Sequence, residues 1–220
     1  FAVIKGVGVG VDITPAGILT PKSNGSGQLH VEFGGRSVDV PLKIVGAEVH
    51  PPVDFVRDVN PVMTKVGCNA GTCHGAKEGK AGFKLSLRGY DPIYDIRAFT
   101  DDIKGRRTNM ASADESLMLL KGTAGVPHEG GQVMKQGDKY YNILRAWIAG
   151  GMKLHLETPR VTNIELSPMN PVVQKVGARQ QFRVFATYAD GLTRDVTQES
   201  YIESGNLDIA KHDKTGLLSA

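Results

Sequence analysis

The sequence lacks long apolar runs and any strong excess of charge of one sign. Its 220 residues carry 26 basic and 23 acidic side chains, which gives a formal net charge of +3. The basic residues are dispersed, and Arg106-Arg107 is only a pair, so nothing indicates a nucleic-acid partner. No apolar run approaches the ~20 residues that cross a bilayer, and we therefore expect no membrane span.

Familiar catalytic patterns are also missing. The chain has no Ser-His-Asp order, no recognisable frame of paired catalytic carboxylates and no glycine loop of the kind that cradles phosphate. These absences favour a protein other than an enzyme and leave the question of enzymatic activity open. The chain does not open with a charged leader followed by an apolar run, so we expect a mature or excised fragment.

Cysteine is scarce, and both cysteines lie in one short loop, VGCNAGTCHG at residues 66–75. Four residues separate Cys68 from Cys73, and His74 follows at once. In c-type cytochromes two thiols add across the haem vinyl groups and the adjoining histidine ligates the iron. The usual spacing is two residues, so two more must bulge outward here. The four intervening residues are small enough for that: Asn69, Ala70, Gly71 and Thr72.

Two other interpretations of this loop remain open from the residues alone. A disulfide between Cys68 and Cys73 is plausible in an oxidising compartment and leaves His74 without a role. A zinc site would need a fourth ligand, whereas the chain offers one Cys/His module and scattered histidines.

Longer stretches around the loop resemble a known family. Residues 54–151 are similar to the cytochrome c-like domain of large multidomain planctomycete proteins, which has this widened C-x4-C-H haem-binding motif. The resemblance implies one covalent haem c, one-electron transfer and a location in the periplasm or elsewhere outside the cytoplasm. The matching words are FVRDVNPVMTKVGCNAGTCHGAKEGKAGFKLSLRGYDP, SLMLLK, VPHEGG and YYNILRAWIAGG.

The second axial ligand of such a haem would come from residues 125–131. In small cytochromes c it lies in a loop between the middle and closing helices, where a Met beside a Pro is the familiar arrangement. His128 follows Pro127 in the matching place, so we expect His74 as the proximal and His128 as the distal ligand. Met134 is the alternative distal ligand, and an open sixth site is the third possibility.

Two further residues are candidates for contacts with the haem. Phe83, Leu85 and Leu87 alternate, which favours a short extended segment against the haem edge. Arg88 could pair with a propionate, because a planar guanidinium fork binds a carboxylate well. A solvated surface arginine is the alternative interpretation of Arg88.

Helix signals predict a mainly helical central region at residues 51–159. Asp54 and Asp138 are expected N-caps, and residues 112–115 read as a capping box ahead of a helix at 116–121. The closing helix resembles the C-terminal helix of small cytochromes c, which implies that it crosses the N-terminal helix through an aromatic contact made by Trp147. It should bury one face. That face comprises Tyr140, Leu144, Trp147 and Ile148.

Both flanks read as β structure. Residues 17–46 contain two alternating runs joined by Gly34-Gly35, which predicts a hairpin, and they resemble the closing half of a bacterial immunoglobulin-like domain of group 2. Residues from 160 onward, including an alternating run at 180–188, resemble the opening half. We expect the halves to complement each other, within one chain or across a dimer. The alternative is a fragment boundary that ignores domains.

Together these features predict a multidomain α + β chain. Its parts would be a partial β segment at 1–50, a mainly α haem domain at 51–159 and a second partial β segment at 160–220. Electron transfer with a redox partner protein or adjoining domains is the expected function. The alternatives are a haem-based redox or gas sensor, a peroxidase-like site with a displaceable sixth ligand, or a structural interaction module.

Overall fold

The computed structural model describes residues 2–15, 17–48, 51–101 and 105–220. The chain divides into two compact units, Phe1–Pro52 and Val53–Ala220. Strands account for 26% and helices for 20% of the structure, and the strands form four small sheets.

The expected mainly α domain at residues 51–159 is therefore wrong, and with it the predicted fold class. No dominant helical domain forms in the part of the chain that the structure describes. Residues 66–86 form no helix, and glycines account for this: six glycines lie between residues 67 and 89, and five of the six have a positive φ or would clash with backbone or a neighbouring side chain if they carried a Cβ. Short helices gain little from propagation, and glycine disfavours it further.

The described residues of the first unit form five strands. The predicted hairpin is confirmed: β4 (Gly25–Phe33) and β5 (Arg36–Ile44) pair antiparallel across a turn in which Gly34 and Gly35 both have positive φ. The remaining strands are β1 (Val3–Val7), β2 (Val11–Ile13) and β3 (Leu19–Pro21). One sheet has the order β1-β4-β5, and β2 pairs with β3.

Helical segments of the second unit begin with a π-helical turn, Phe55–Val59, that runs directly into α1 (Asn60–Lys65). Three more helices follow, together with two 3₁₀ turns. The helices are α2 (Pro92–Thr100), α3 (Leu117–Gly122) and α4 (Lys139–Ala149), and the turns are Leu87–Gly89 and Ala113–Glu115.

The core of this unit centres on Trp147, as expected. Its indole packs on Phe55 with ring centroids 5.1 Å apart, which joins α4 to the π-helical turn. The predicted buried face of α4 is correct except at one position, where Tyr141 is buried instead of Tyr140. Fully buried side chains complete the core: Val59, Val62, Met63, Leu85, Leu144 and Ile148.

Helix caps follow the sequence at two of three places. The carboxylates of Asp54 and Asp138 accept hydrogen bonds from the N–H groups of Arg57 and Tyr141, both at 2.8 Å. The capping box at Ser112 is wrong, because the Ser112 side chain makes no capping bond. The helix itself, α3, begins within one residue of the predicted position, with Ser116 at its N-cap.

The second unit also contains two three-stranded sheets, ordered β6-β8-β9 and β10-β11-β7. The alternating run at 180–188 is divided at Phe182 between them. The strands are β6 (Val161–Ser167), β7 (Arg179–Gln181), β8 (Arg183–Tyr188), β9 (Thr193–Asp195), β10 (Lys211–His212) and β11 (Leu217–Ser219).

The division into domains at 51–159 and 160–220 and the immunoglobulin-like pairing of halves stay predictions.

Within the described residues, every helix is too short or too polar to cross a membrane, in agreement with the sequence.

Candidate functional site

The cysteine loop starts where α1 ends and is held by main-chain bonds. The Cys68 N–H donates to the carbonyl of Met63 at 2.9 Å, and the His74 N–H donates to the carbonyl of Cys68 at 3.0 Å. Gly75 packs closely on the main chain of Asn69, where any larger residue would clash, because a Cβ at this position would lie 2.2 Å from the carbonyl oxygen of Asn69. The widened loop therefore folds as a compact turn that brings Cys68 next to His74.

Asn69 is the internal support of this loop and is wholly buried. Its Nδ2 donates to Thr64 Oγ1 at 2.9 Å, and its carbonyl oxygen accepts from the Arg88 N–H at 3.0 Å. Its Oδ1 has no hydrogen-bond partner within the described residues. An unsatisfied buried acceptor costs free energy, so the loop form is maintained at the expense of stability.

Both thiols are free. Burial, with a smaller contribution from the neighbouring Cys73, raises the pKa of the Cys68 thiol to about 12. Cys68 therefore stays protonated at neutral pH, which disfavours its use as a thiolate nucleophile or as a zinc ligand in this conformation.

His74 is partly buried and oriented by its Nδ1, which lies 3.0 Å from the carbonyl oxygen of Phe83. A carbonyl can only accept, so Nδ1 carries the proton and the lone pair is on Nε2. The Phe83 ring packs edge-on against the imidazole at 4.8 Å. Burial, more than any other effect, lowers the pKa of His74. The neutral imidazole, which is the form that ligates metals, therefore prevails at pH 7.

His128 has the same internal arrangement. Its Nδ1 lies 2.8 Å from the carbonyl oxygen of Gly131, which again leaves the lone pair on Nε2. The ring folds over Gly130, where a Cβ would approach Cε1 to 2.9 Å. Repulsion from His128, a smaller effect than burial, also contributes to the lowered pKa of His74.

Met134, the alternative distal ligand, belongs to the hydrophobic core. It is 4% exposed, and its Cε would lie 2.1 Å from a Cβ on Gly122. Its thioether is thus packed against α3. The choice between His128 and Met134 as the distal ligand stays a prediction.

The two other predicted contact residues occupy different surroundings. Phe83 lies beside His74 and continues a ladder of rings to Phe99 at 5.1 Å and from there to Trp147 at 6.1 Å. The Arg88 guanidinium lies 5.1 Å from the centroid of the Tyr201 ring, and its Nη1 donates to the Tyr201 hydroxyl at 3.1 Å. The pairing of Arg88 with a propionate stays a prediction.

Sequence reasoning missed two residues near the loop, Arg107 and Tyr201. The Arg107 guanidinium lies 4.4 Å from the centroid of the Phe83 ring and donates to the carbonyl of Ala98 at 2.9 Å. Neither residue forms a recognisable motif with the cysteine loop, because each reaches it only through the tertiary fold.

No group of three or more His, Cys, Asp or Glu side chains that could hold a metal ion occurs in residues 2–15, 17–48, 51–101 and 105–220. The zinc interpretation therefore has no assembled set of protein ligands in those parts of the chain.

The types of donor in this loop are those that haem c uses. Two free thiols and an imidazole whose Nδ1 is held by a carbonyl occur in one turn, and the imidazole of His128 is held in the same way. Cys68 and Cys73 would hold the porphyrin, and His74 would ligate the iron, with His128 as its partner.

Comparison with protein-family models, with curated proteins and with solved structures finds no match to this chain.

Proposed function

We propose that this chain is an extracytoplasmic c-type haem protein that transfers single electrons. One haem would be bound covalently by Cys68 and Cys73, with His74 and His128 as axial ligands. The resemblance of residues 54–151 to planctomycete cytochrome c-like domains is part of this proposal, whereas a mainly helical haem domain is not.

The observation that carries the proposal is the orientation of the two imidazoles. His74 and His128 each place Nδ1 on a backbone carbonyl, at 3.0 and 2.8 Å. A hydrogen bond of this kind is the usual support of a metal-bound histidine, because it fixes the tautomer and makes Nε2 more basic. A disulfide at Cys68 and Cys73 would give neither histidine a reason for this orientation.

Haem, when bound, supplies a one-electron iron couple. The chain contributes the ligand nitrogens and their surroundings. Phe83 packs on His74 and limits access of water to its ring. Burial keeps His74 neutral and ready to ligate at neutral pH.

A second candidate, a sensor or peroxidase-like site with a displaceable sixth ligand, is favoured by the way in which His128 is held. Its side-chain bond is to Gly131, only three residues away, and the Gly131 N–H donates back to the His128 carbonyl at 2.9 Å. Both bonds lie within the loop, so the His128 imidazole can be displaced without breaking a hydrogen bond to the core.

Variants of the two possible distal ligands separate these functions. In protein expressed together with a haem-attachment system, His128→Ala should bind carbon monoxide in the reduced form, while Met134→Leu, the matched control, should resemble the wild type. Wild-type protein that resists carbon monoxide supports electron transfer, whereas rapid binding supports the sensor. Failure of both Cys68→Ala and Cys73→Ala to reduce covalent haem would contradict the proposal as a whole.

A further inference from the structure

Residues 197–201, which follow β9, contact the helical part of the second unit at several points. The Tyr140 hydroxyl donates to the Gln198 carbonyl at 2.6 Å, and Lys139 pairs with Glu199 at 2.7 Å. The Lys65 ammonium donates to the carbonyl of Ser200. The segment thus fastens the C-terminal β region to α4 and to the end of α1.

Within this segment, Tyr201 reaches the residues that precede and follow the cysteine loop. Its hydroxyl donates to the Thr64 carbonyl at 2.6 Å and accepts from Arg88 Nη1 at 3.1 Å. A phenol has one proton and free lone pairs, so it makes both bonds at once. The ring also lies 5.1 Å from the Arg88 guanidinium and 5.2 Å from the Lys65 ammonium, as cation–π contacts.

Thr64 and Arg88 are the two residues that hold Asn69. The amide of Asn69 donates to Thr64 Oγ1 at 2.9 Å, and its carbonyl accepts from the main chain of Arg88 at 3.0 Å. The Thr64 carbonyl accepts in addition from Gly67 at 3.1 Å. Asn69 follows Cys68 directly, so a shift of either support is passed to the first thiol of the loop.

We propose that Tyr201 is a positioning residue for the haem-binding loop, because its hydroxyl fixes Thr64 and Arg88 and thereby the place of Cys68. Only the link from loop position to haem attachment rests on the proposed function. The hydrogen-bond relay itself belongs to the chain without haem. A residue of the C-terminal β region would thus be part of the haem site, although it lies more than 100 residues from the motif.

Alkylation of the two thiols in the full, reduced and haem-free chain tests this relay. Cys68 is half-buried and packs against the hydrophobic core, so an increase in its reaction rate with iodoacetamide reports local opening of the loop. Tyr201→Phe keeps the ring and removes only the hydroxyl. We expect Cys68 to react about five to ten times faster, which is the change that loss of one hydrogen bond from an opening equilibrium produces.

Tyr140→Phe is the matched control, since it removes a hydrogen bond of the same length between the same segment and α4. It should lower the thermal midpoint about as much as Tyr201→Phe and leave the Cys68 rate unchanged. Thr64→Val, which removes the bond to Asn69, should raise the Cys68 rate, and Tyr201→Phe should add little to it. Equal Cys68 rates in Tyr201→Phe and wild type would overturn the proposal, as would equal acceleration by Tyr140→Phe.

The same variants separate this inference from the proposed function. If the protein binds haem, Tyr201→Phe should increase the share of chains with only one thioether, measured by intact mass. If the wild type binds no haem while the alkylation rates follow the expected pattern, the relay stands and the proposed function fails.

Discussion

At the scale of single residues, the hydrogen bond and the lowered pKa of His74 lead to a specific prediction. Its Nδ1 is held by the Phe83 carbonyl, and its pKa is lowered chiefly by burial. Because the pKa of His74 is lower in the folded chain than in the unfolded chain, the unfolded chain takes up the proton at a higher pH as the solution is acidified. The folded state therefore loses stability as pH falls below the ordinary histidine value of about 6.5.

This reasoning gives a measurable pH dependence for the haem-free protein. Urea unfolding at about pH 7.5 and about pH 5.5, on either side of the ordinary value, should show lower stability at the acidic pH. His74→Gln does not titrate and should show a smaller loss between the two. A variant with the same loss as the wild type would mean that the His74 imidazole is not held in its neutral form.

The second prediction at this scale concerns His128 and the redox potential of the haem-loaded protein. Replacement of a Met ligand by His generally lowers a cytochrome potential, so His128→Met should raise the midpoint potential of the haem-loaded protein. We expect a rise on the order of 0.1 V, well within the ≈ 0.8 V that axial ligands span. Met134→Leu is the control and should not change the potential in a redox titration. The opposite pattern would make Met134 the distal ligand.

At the scale of helices and strands, the N-caps show which local sequence signals the folded chain uses and which it does not. The Asp138 carboxylate accepts from the N–H groups of Tyr141 and Lys135, both at 2.8 Å. Asp138→Ala should therefore lower the free energy of unfolding by about 1 kcal/mol, the usual cost of losing an N-cap. Chemical denaturation monitored by Trp147 fluorescence measures it.

Ser112→Ala is the control for that experiment. Ser112 begins the sequence S-A-D-E, which has the pattern of a capping box, but its side chain makes no capping bond in the structure. An exposed residue without such a bond should change stability by less than about 0.5 kcal/mol. A larger loss at Ser112 than at Asp138 would contradict the observed start of α3.

Local signals therefore identified the elements whose residues are close in sequence. The Gly34-Gly35 hairpin, the caps at Asp54 and Asp138 and the packing of Trp147 were all predictable, because turn chemistry, capping and helical periodicity are local. The helical content of residues 51–159 was overestimated, because the α-helices that those signals begin are only six to eleven residues long. The division of strand 180–188 at Phe182 depends on which sheet each part joins, and alternation does not encode that choice.

The same limit applies to the site. The sequence predicted Cys68, Cys73, His74 and His128 as a set, but it did not predict the carbonyl partners of the two imidazoles, which Phe83 and Gly131 supply. Tyr201 could not be predicted, because its hydroxyl meets Thr64 and Arg88 only once the C-terminal sheet has folded. Long-range contacts of this kind leave no local pattern.

At the scale of the whole molecule, the two units differ in the core that each has. In the described residues of the first unit, Ile44 is the one buried hydrophobic side chain, while Phe33 and Val38 are 67% and 57% exposed. The second unit buries Trp147, Phe55 and their neighbours completely. Burial of apolar surface is the main source of stability, so the second unit should be more stable than the first.

Native-state hydrogen exchange measures this difference directly. Amides of β4 and β5 should exchange through openings of low free energy, whereas those of α4 and the π-helical turn should require nearly global unfolding. Equal protection in both units would mean that the first unit has a buried face that this structure does not include.

The central claim is that Cys68 and Cys73 attach one haem whose iron is ligated by His74. The most direct measurement is the oxidised and dithionite-reduced absorption spectrum of the full chain, expressed with a haem-attachment system and extracted with acid-acetone. We predict a sharp reduced α-band and colour that stays with the protein after extraction. The absence of a Soret band, with an intact mass lower by two protons, would instead mean a disulfide between Cys68 and Cys73 and would contradict the haem assignment.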